Sequence, residues 1–201
     1  MKTVFFYVHP GYADWEGGFI LPELRENSPF PIKTMAAQAQ PVKSMGGLQI
    51  MPDLTLAELE PAAAALVILP GGYSWIQHPE EHAGIVHLLP RLRQNRVPLA
   101  AICAATLAFA RLGWLNDIPH TSNGLDFLQS QVPDYAGAAG YVDQPAATGG
   151  QIITASGIGA IEFAYEILTL LEVYDDSTRR QWFALYKHGI LPPPEFWVQK
   201  H

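Results

Sequence analysis

Cysteine is the scarcest residue in this sequence. The chain of 201 residues contains one, Cys103. A single cysteine excludes an internal disulfide framework and a zinc site built from cysteines. A lone thiol is typical of a reducing compartment, so we expect a cytoplasmic protein.

Charge is also scarce, and basic charge most of all. Charged residues make up 15% of the chain, with 12 basic and 19 acidic side chains and a net charge of -7. Nucleic acids and anionic membranes are bound through basic patches, so the composition disfavours both as partners. The longest purely apolar run, "AAAALVIL", is too short to span a bilayer, and the start "MKTVFFYVHPG" lacks the long apolar region of a signal peptide.

What the sequence does contain is an alternation of short apolar runs with helical segments. Strands are predicted at "TVFFYV", "PIKTMAAQ", "ALVILPGG", "VPLAAI" and in "GYVDQPAATGGQIITAS", and a hairpin at "VKSMGGLQIMPD". Between them lie helical segments, of which "ADWEGGFILPELREN" is expected to break at Pro22. Strands that alternate with helices predict an α/β fold with a mostly parallel sheet covered on both faces.

Cys103 lies where one of these strands meets a helix. The strand "VPLAAI" ends at Ile102 and the helical run starts at Ala104, with no loop between them. A reactive site is expected at the carboxyl ends of parallel strands, and such a junction resembles a nucleophile elbow. Free N–H groups of the following helix would lower the pKa of the thiol. The alternative is that Cys103 is a buried apolar residue.

Four further residues are candidates for the same site. The N–H groups of Gly72 and Ala104 could form an oxyanion hole beside the thiolate. Glu16 follows an aromatic residue and is expected to have a raised pKa, which suits proton transfer to and from Cys103. His120, in "IPHTSNG", could complete a Cys–His pair. Each feature also has a plainer alternative. The Pro-Gly-Gly segment could be only a tight turn, Glu16 only an acid favoured at a helix N-terminus, and His120 only a histidine bonded within its loop.

The aromatic residues Trp15, Tyr73 and Trp75 are candidates for a pocket wall, although each could belong to the core. "HPEEH", residues 78 to 82, formally fits an inverted zinc motif, but Pro79 is expected to open the helix and leave His78 outside it. "SGIGAIE" only partly matches a dinucleotide fingerprint. We therefore expect no metal and no cofactor.

Several of these segments together resemble the PfpI/parkinsonism-associated deglycase superfamily, also called class I glutamine amidotransferase-like proteins. The matching pieces are "GYADWE", "SMGGLQIMPD", "VILPGG", "AAICAAT" and "TASGIGAIEFAYEIL", which appear in the family's order. The resemblance implies a flavodoxin-like three-layer sandwich and a homodimer. It makes Cys103 the elbow cysteine, Glu16 its acidic partner, Gly72 and Ala104 the oxyanion donors and His120 the nearby histidine. We expect a domain over residues 1–174 and a C-terminal helical extension, 175–201, packed on it.

The sequence also departs from two branches of that superfamily. Protease-type members carry a histidine directly after the cysteine, where this chain has Ala104. True glutaminases carry a late His-x-Glu pair, whereas the late histidines here are His188 and His201. The resemblance therefore implies neither a typical protease nor a glutaminase.

Three functions remain open from the sequence. The first is an enzyme of hydrolase or lyase type, in which the Cys103 thiolate attacks a small aldehyde, amide or isonitrile-like substrate. The second is an oxidation sensor or stress-response protein, in which the thiol is oxidised in steps and Glu16 stabilises the product. The third is a non-catalytic binding module that keeps the fold.

Overall fold

A computed structural model describes residues 2–198 of the chain. The strands are β1 (Thr3–Tyr7), β2 (Ile32–Ala36), β3 (Val42–Lys43), β4 (Gln49–Ile50), β5 (Leu54–Thr55), β6 (Ala64–Leu69), β7 (Leu99–Ile102), β8 (Ala146–Gly149) and β9 (Ile152–Ala155). The helices are α1 (Asp14–Gly17), α2 (Ile20–Asn27), α3 (Ser74–Gln77), α4 (Ala83–Gln94), α5 (Thr106–Arg111), α6 (Leu125–Gln131), α7 (Ala160–Leu170), α8 (Asp176–His188) and α9 (Pro194–Val198).

The central sheet has seven strands in the order β5-β2-β1-β6-β7-β9-β8. Every pairing is parallel except β8 with β9, which form the antiparallel edge of the sheet. The order reverses between β1 and β6, so their carboxyl ends, together with that of β7, meet at the point where α/β sheets bind ligands. The α/β, flavodoxin-like prediction is confirmed.

Two apolar layers cover the sheet, as its continuous apolar strands require. One layer contains side chains from α4, α5 and α6, and the other contains side chains from α2, α7 and α8. Trp182 of α8 is fully buried in the second layer, so that this part of the predicted extension packs on the sandwich. Residues 199–201 of the extension lie outside the described residues. Within residues 2–198 no helix is long and apolar enough to cross a membrane.

Local structure departs from the sequence prediction at one place near the site. The segment expected to break at Pro22 instead divides after Gly17, and Pro22 lies in the first turn of α2. Proline is tolerated in a first turn because the N–H it lacks would have no helical partner there. The predicted hairpin is present as the two-stranded β3–β4 ladder.

Candidate active site

Cys103 sits on a sharp turn between β7 and α5. β7 ends at Ile102, Cys103 has φ of 59°, and a single 3-10 turn, Cys103–Ala105, leads into α5. Positive φ is uncommon for a residue with a side chain and is retained where the surrounding structure holds it. The Thr106 hydroxyl helps to hold it by donating to the Cys103 carbonyl at 2.7 Å. The strand-to-helix elbow predicted from the sequence is therefore present.

The Pro-Gly-Gly turn after β6 packs directly against this elbow. A Cβ added to Gly71 would lie 2.6 Å from the Cys103 Cβ, and one added to Gly72 would lie 2.8 Å from the Gly11 carbonyl oxygen. Gly72 also has φ of 155°, a conformation that side chains rarely adopt. Gly71 is needed for the close approach of this turn to the cysteine, and Gly72 for its approach to the loop that follows β1.

Glu16 reaches the same place from the short helix α1. Its side chain is buried, and its Oε2 accepts the Gly71 N–H at 2.5 Å. Its Oε1 has no nitrogen or oxygen partner within residues 2–198 and is left to the Cys103 thiol. Burial raises the pKa of Glu16 to about 7, against the opposing effect of the Gly71 N–H. The sequence-based expectation of a raised pKa for Glu16 is confirmed.

The expectation for the thiol was wrong in direction. Burial, followed by the negative charge of Glu16, raises the pKa of Cys103 to about 11. Asn123 and the Ala104 N–H oppose this by hydrogen bonding to the sulfur, but they do not outweigh burial. Because part of the rise comes from ionised Glu16, the carboxyl and the thiol titrate as a pair that holds one shared proton above neutral pH.

Asn123 is the polar site residue that the sequence analysis missed. Its Nδ2 donates to the Cys103 sulfur at 3.2 Å, and its Oδ1 accepts the Gly157 N–H at 2.9 Å. The Gly157 carbonyl in turn accepts the Trp15 indole N–H at 3.1 Å. Asn123 lies in "HTSNG", where the sequence analysis selected the histidine, and an amide that can donate to sulfur was the available signal.

His120, in the same loop, is directed elsewhere. It is fully buried, its Nδ1 lies 2.8 Å from the Ile118 carbonyl, and its Nε2 lies 2.5 Å from the Tyr135 hydroxyl. Both ring nitrogens are thus occupied at a distance from the thiol, and burial lowers the pKa of the imidazole. The structure does not bring His120 to Cys103.

A cavity of about 130 Å³ opens onto the sulfur. Trp15 and Tyr73 line it, and both are more than half exposed. Met45 and Ile76 add apolar walls that the sequence analysis did not identify. Trp75 is a core residue instead: it is fully buried, and its indole N–H donates to the Pro70 carbonyl.

The two expected oxyanion donors both border this cavity. The Ala104 N–H is directed at the Cys103 sulfur. The Gly72 N–H has no acceptor among the described residues. These two residues therefore line the same cavity in which a negatively charged oxygen would form on a carbon bound to the sulfur.

The described part of the chain contains no group of three or more metal-binding side chains. His82 of the "HPEEH" segment is buried, with its ring stacked on Trp75 at 3.7 Å and its nitrogens near Tyr7 and Ser74. His78 precedes the 3-10 turn that Pro79 opens, as expected.

Comparison with known proteins gives one consistent result. A sequence model of the DJ-1/PfpI family matches residues 2–170. An uncharacterised protease, YoaZ, of Bacillus subtilis is 35% identical over 193 residues, which cover 92% of this chain and 91% of that protein.

Two solved structures show the same similarity. A thiJ/pfpI family protein of Bacillus anthracis superposes with a TM-score of 0.89 at 34% identity, over 99% of this chain and 95% of that one. A DJ-1 superfamily protein of Agrobacterium tumefaciens superposes with a TM-score of 0.84 at 32% identity, over 94% and 100%.

Proposed function

Since this chain belongs to the DJ-1/PfpI family, we propose that it is a cysteine-dependent enzyme of hydrolase or lyase type. Its substrate is a small molecule with an electrophilic carbon, such as an aldehyde, an amide or an isonitrile-like group. The observation that carries this proposal is the Cys103 sulfur at the floor of the cavity, paired with the buried carboxyl of Glu16.

Glu16 is the proposed proton carrier of the reaction. With a pKa of about 7 it is partly ionised at neutral pH, which suits a general base. Its carboxylate takes the thiol proton as the sulfur–carbon bond forms. The electron pair of the attacked C=O or C≡N bond moves onto the oxygen or nitrogen, where the N–H groups of Gly72 and Ala104 stabilise it. The protonated Glu16 then returns the proton to the product or leaving group. In a hydrolase, water then attacks the carbon bound to the sulfur, so that the carbon–sulfur bond breaks and the Cys103 thiol is regenerated.

The cavity supports a small and uncharged substrate. Its volume is about 130 Å³, its walls include Trp15, Met45 and Ile76, and no lysine or arginine of residues 2–198 lines it. An extended peptide would need a longer cleft beside the sulfur. The protease name of the Bacillus subtilis relative describes that protein, and proteolysis is an outcome that the experiment below distinguishes.

The test is turnover of a panel of small aldehydes, amides and isonitriles, with casein as a peptide substrate. We expect turnover of at least one small compound, none of casein, and loss of at least about a hundredfold in rate for Cys103→Ser. Asn116→Ala, at an amide outside the site, is the matched control and should keep the wild-type rate. Full activity of Cys103→Ser would exclude a cysteine-dependent enzyme.

Oxidation of the thiol is the second candidate function. It is favoured by the two hydrogen-bonding groups beside the sulfur, the Asn123 amide and the Glu16 carboxyl, which can donate to the oxygens of a sulfinic acid when Glu16 is protonated. Intact mass after mild peroxide should then rise by two oxygen atoms in the wild type and remain unchanged in Cys103→Ser. An unmodified wild type would remove this candidate.

We also propose a homodimer, as the family resemblance implies. The supporting observation is the exposure of large apolar side chains on the β3–β4 hairpin and around the cavity, among them Leu48, Met51 and Tyr73. Sedimentation velocity should give twice the mass of the chain. The double variant with Leu48→Glu and Met51→Glu should sediment with the mass of a single chain. A wild type that sediments as a monomer at micromolar concentration would contradict the proposal.

A further inference from the structure

Four side chains next to the Pro-Gly-Gly turn, none of which lines the cavity, form one hydrogen-bonded chain. The Tyr7 hydroxyl lies 3.3 Å from His82 Nδ1, and His82 Nε2 lies 2.9 Å from the Ser74 hydroxyl. That hydroxyl lies 3.2 Å from His9 Nδ1, and His9 Nε2 lies 3.3 Å from the Pro70 carbonyl oxygen. We call these four side chains the imidazole chain.

One direction of donation gives every proton of the chain an acceptor. Tyr7 donates to His82, His82 donates to Ser74, Ser74 donates to His9, and the His9 Nε2–H donates to the Pro70 carbonyl. Each histidine is then neutral and each has a single defined tautomer. In this assignment the chain is directed toward the Pro70 carbonyl, and the Pro10 carbonyl, 3.2 Å from His9 Nδ1, receives no proton from the ring.

Burial favours the neutral form of each titratable side chain in the imidazole chain. It lowers the pKa of His82 to about 3, with His9 and Arg111 adding to the effect, and it lowers the pKa of His9. Burial and the charge of Glu81 raise the pKa of Tyr7. Arg111 and Glu81 are the charged groups that act on the chain, and neither bonds to it within residues 2–198.

The chain ends on a peptide group that also contacts the site. The carbonyl oxygen of the Pro70–Gly71 peptide accepts from His9 and, at 3.0 Å, from the Trp75 indole N–H. The N–H of the same peptide donates to Glu16 at 2.5 Å. Donors on the carbonyl polarise a peptide and strengthen its N–H as a donor, because hydrogen bonds in series are cooperative.

We propose that the imidazole chain acts through this peptide to set whether Glu16 or Cys103 holds the proton that they share. A stronger peptide N–H stabilises the carboxylate and therefore leaves the proton on sulfur. A weaker one favours the carboxylic acid and the thiolate. His9 is thus a positioning residue that acts through another group and does not touch the substrate.

The proposal fixes the sign of the effect of losing His9. His9→Leu removes one donor from the peptide carbonyl, so Glu16 keeps its proton to a higher pH and the thiolate form becomes more populated. Simple loosening of the turn would do the opposite to Glu16, because water admitted to the site would relieve burial and lower its pKa. The two roles can therefore be separated by direction alone.

The experiment is the pH dependence of alkylation of Cys103 by iodoacetamide, a reagent specific here because the chain has no other cysteine. In His9→Leu the midpoint near neutral pH should rise by about 0.3 pH unit and the rate above it should increase about twofold. His9→Gln, which keeps a side-chain N–H donor, should reproduce the wild-type profile. Trp75→Phe removes the other donor and should change the profile in the same direction.

Two controls make the result decisive. In a Glu16→Gln background, His9→Leu should leave the alkylation profile unchanged, because the group through which the chain acts is gone. Ile167→Ala, at a buried position in the opposite apolar layer, reports the effect of general destabilisation. The proposal is overturned if the midpoint falls or stays in both His9→Leu and Trp75→Phe, or if the His9→Leu effect persists with Gln at position 16.

This inference deepens the proposed function, because it concerns the same thiol, but its test needs no substrate. If His9→Leu leaves the alkylation profile unchanged while cysteine-dependent turnover is intact, only the role proposed for the imidazole chain is rejected. A normal His9 effect in a protein that turns over none of the small compounds would reject the enzyme proposal alone.

Discussion

At the scale of single residues, burial acts on Cys103 and Glu16 in the same direction. Both are acids, so removal from water raises both pKa values, to about 11 and about 7. The N–H groups around them only moderate this effect. Near neutral pH the thiolate therefore forms only when Glu16 accepts the proton of the thiol.

The pH dependence of thiol reactivity follows from these two pKa values. Below pH 7 both groups are protonated, so alkylation of Cys103 should be slow. The rate should rise as Glu16 loses its proton near pH 7, reach a plateau, and rise again toward pH 11. Glu16→Gln should lose the step near pH 7, and a wild-type profile with a single step near 8.5 would contradict the pairing.

His120 provides a second prediction at this scale. Its ring bonds Ile118 and Tyr135, so His120→Leu should cost about 1–3 kcal/mol of unfolding free energy by leaving polar partners unpaired. The alkylation rate of Cys103 should stay within about twofold of the wild type, since the structure gives the imidazole no contact with the sulfur. Chemical denaturation and alkylation check the two parts, and a tenfold loss of reactivity in folded protein would restore His120 to the site.

At the scale of elements, the site depends on the close approach of the turn after β6 to the elbow after β7. Gly71 lies at that contact. A Cβ added to Gly71 would lie 2.6 Å from the Cys103 Cβ. The added Cβ and the Cys103 Cβ are each bonded directly to the backbone, so neither atom can move unless the end of its strand also moves. The turn and the elbow are therefore mechanically coupled.

Gly71→Ala tests this coupling. We expect a loss of about 1–3 kcal/mol in unfolding free energy from overpacking, together with slower alkylation of Cys103 because the Glu16 bond is displaced. Gly84→Ala in α4 is the control: the added methyl would meet only the end of a leucine side chain, at 3.3 Å, and a helix favours alanine. Equal stability of the two variants would show that the strand ends adjust freely.

Most elements were predictable because they depend on short-range patterns. The runs "TVFFYV" and "ALVILPGG" are apolar throughout and form strands buried on both faces, as such runs do in parallel sheets. The break in the first helical segment was misplaced because propensity favours Pro22 as a helix breaker. The sequence alone does not show that Pro22 falls in a first turn, where it is tolerated.

At the scale of the whole molecule, the helix α8 of the C-terminal extension is part of the sandwich. Trp182 is fully buried against the layer formed by α2 and α7, and Arg179 is buried as well. A domain that ended before this helix would expose that apolar layer to water. The extension therefore contributes to stability through its contact with that apolar layer.

Trp182→Ala measures this contribution. We expect a loss of about 3–5 kcal/mol of unfolding free energy from the lost burial and the cavity left behind. Arg180→Ala, at an exposed position of the same helix, should change stability by less than about 0.5 kcal/mol. Urea denaturation gives both values, and equal values for the two variants would mean that the extension packs only loosely.

The sequence by itself determined the α/β architecture, the strand-to-helix position of Cys103, the Pro-Gly-Gly turn and the raised pKa of Glu16. These depend on hydrophobic periodicity and on the common edge where parallel strands end. The tertiary structure alone decided that Asn123 and not His120 reaches the sulfur and that Trp75 belongs to the core. It also decided that burial outweighs the helix terminus in setting the pKa of the thiol. The direction of a side chain and its burial depend on contacts with residues distant in sequence, so a local sequence pattern does not determine them.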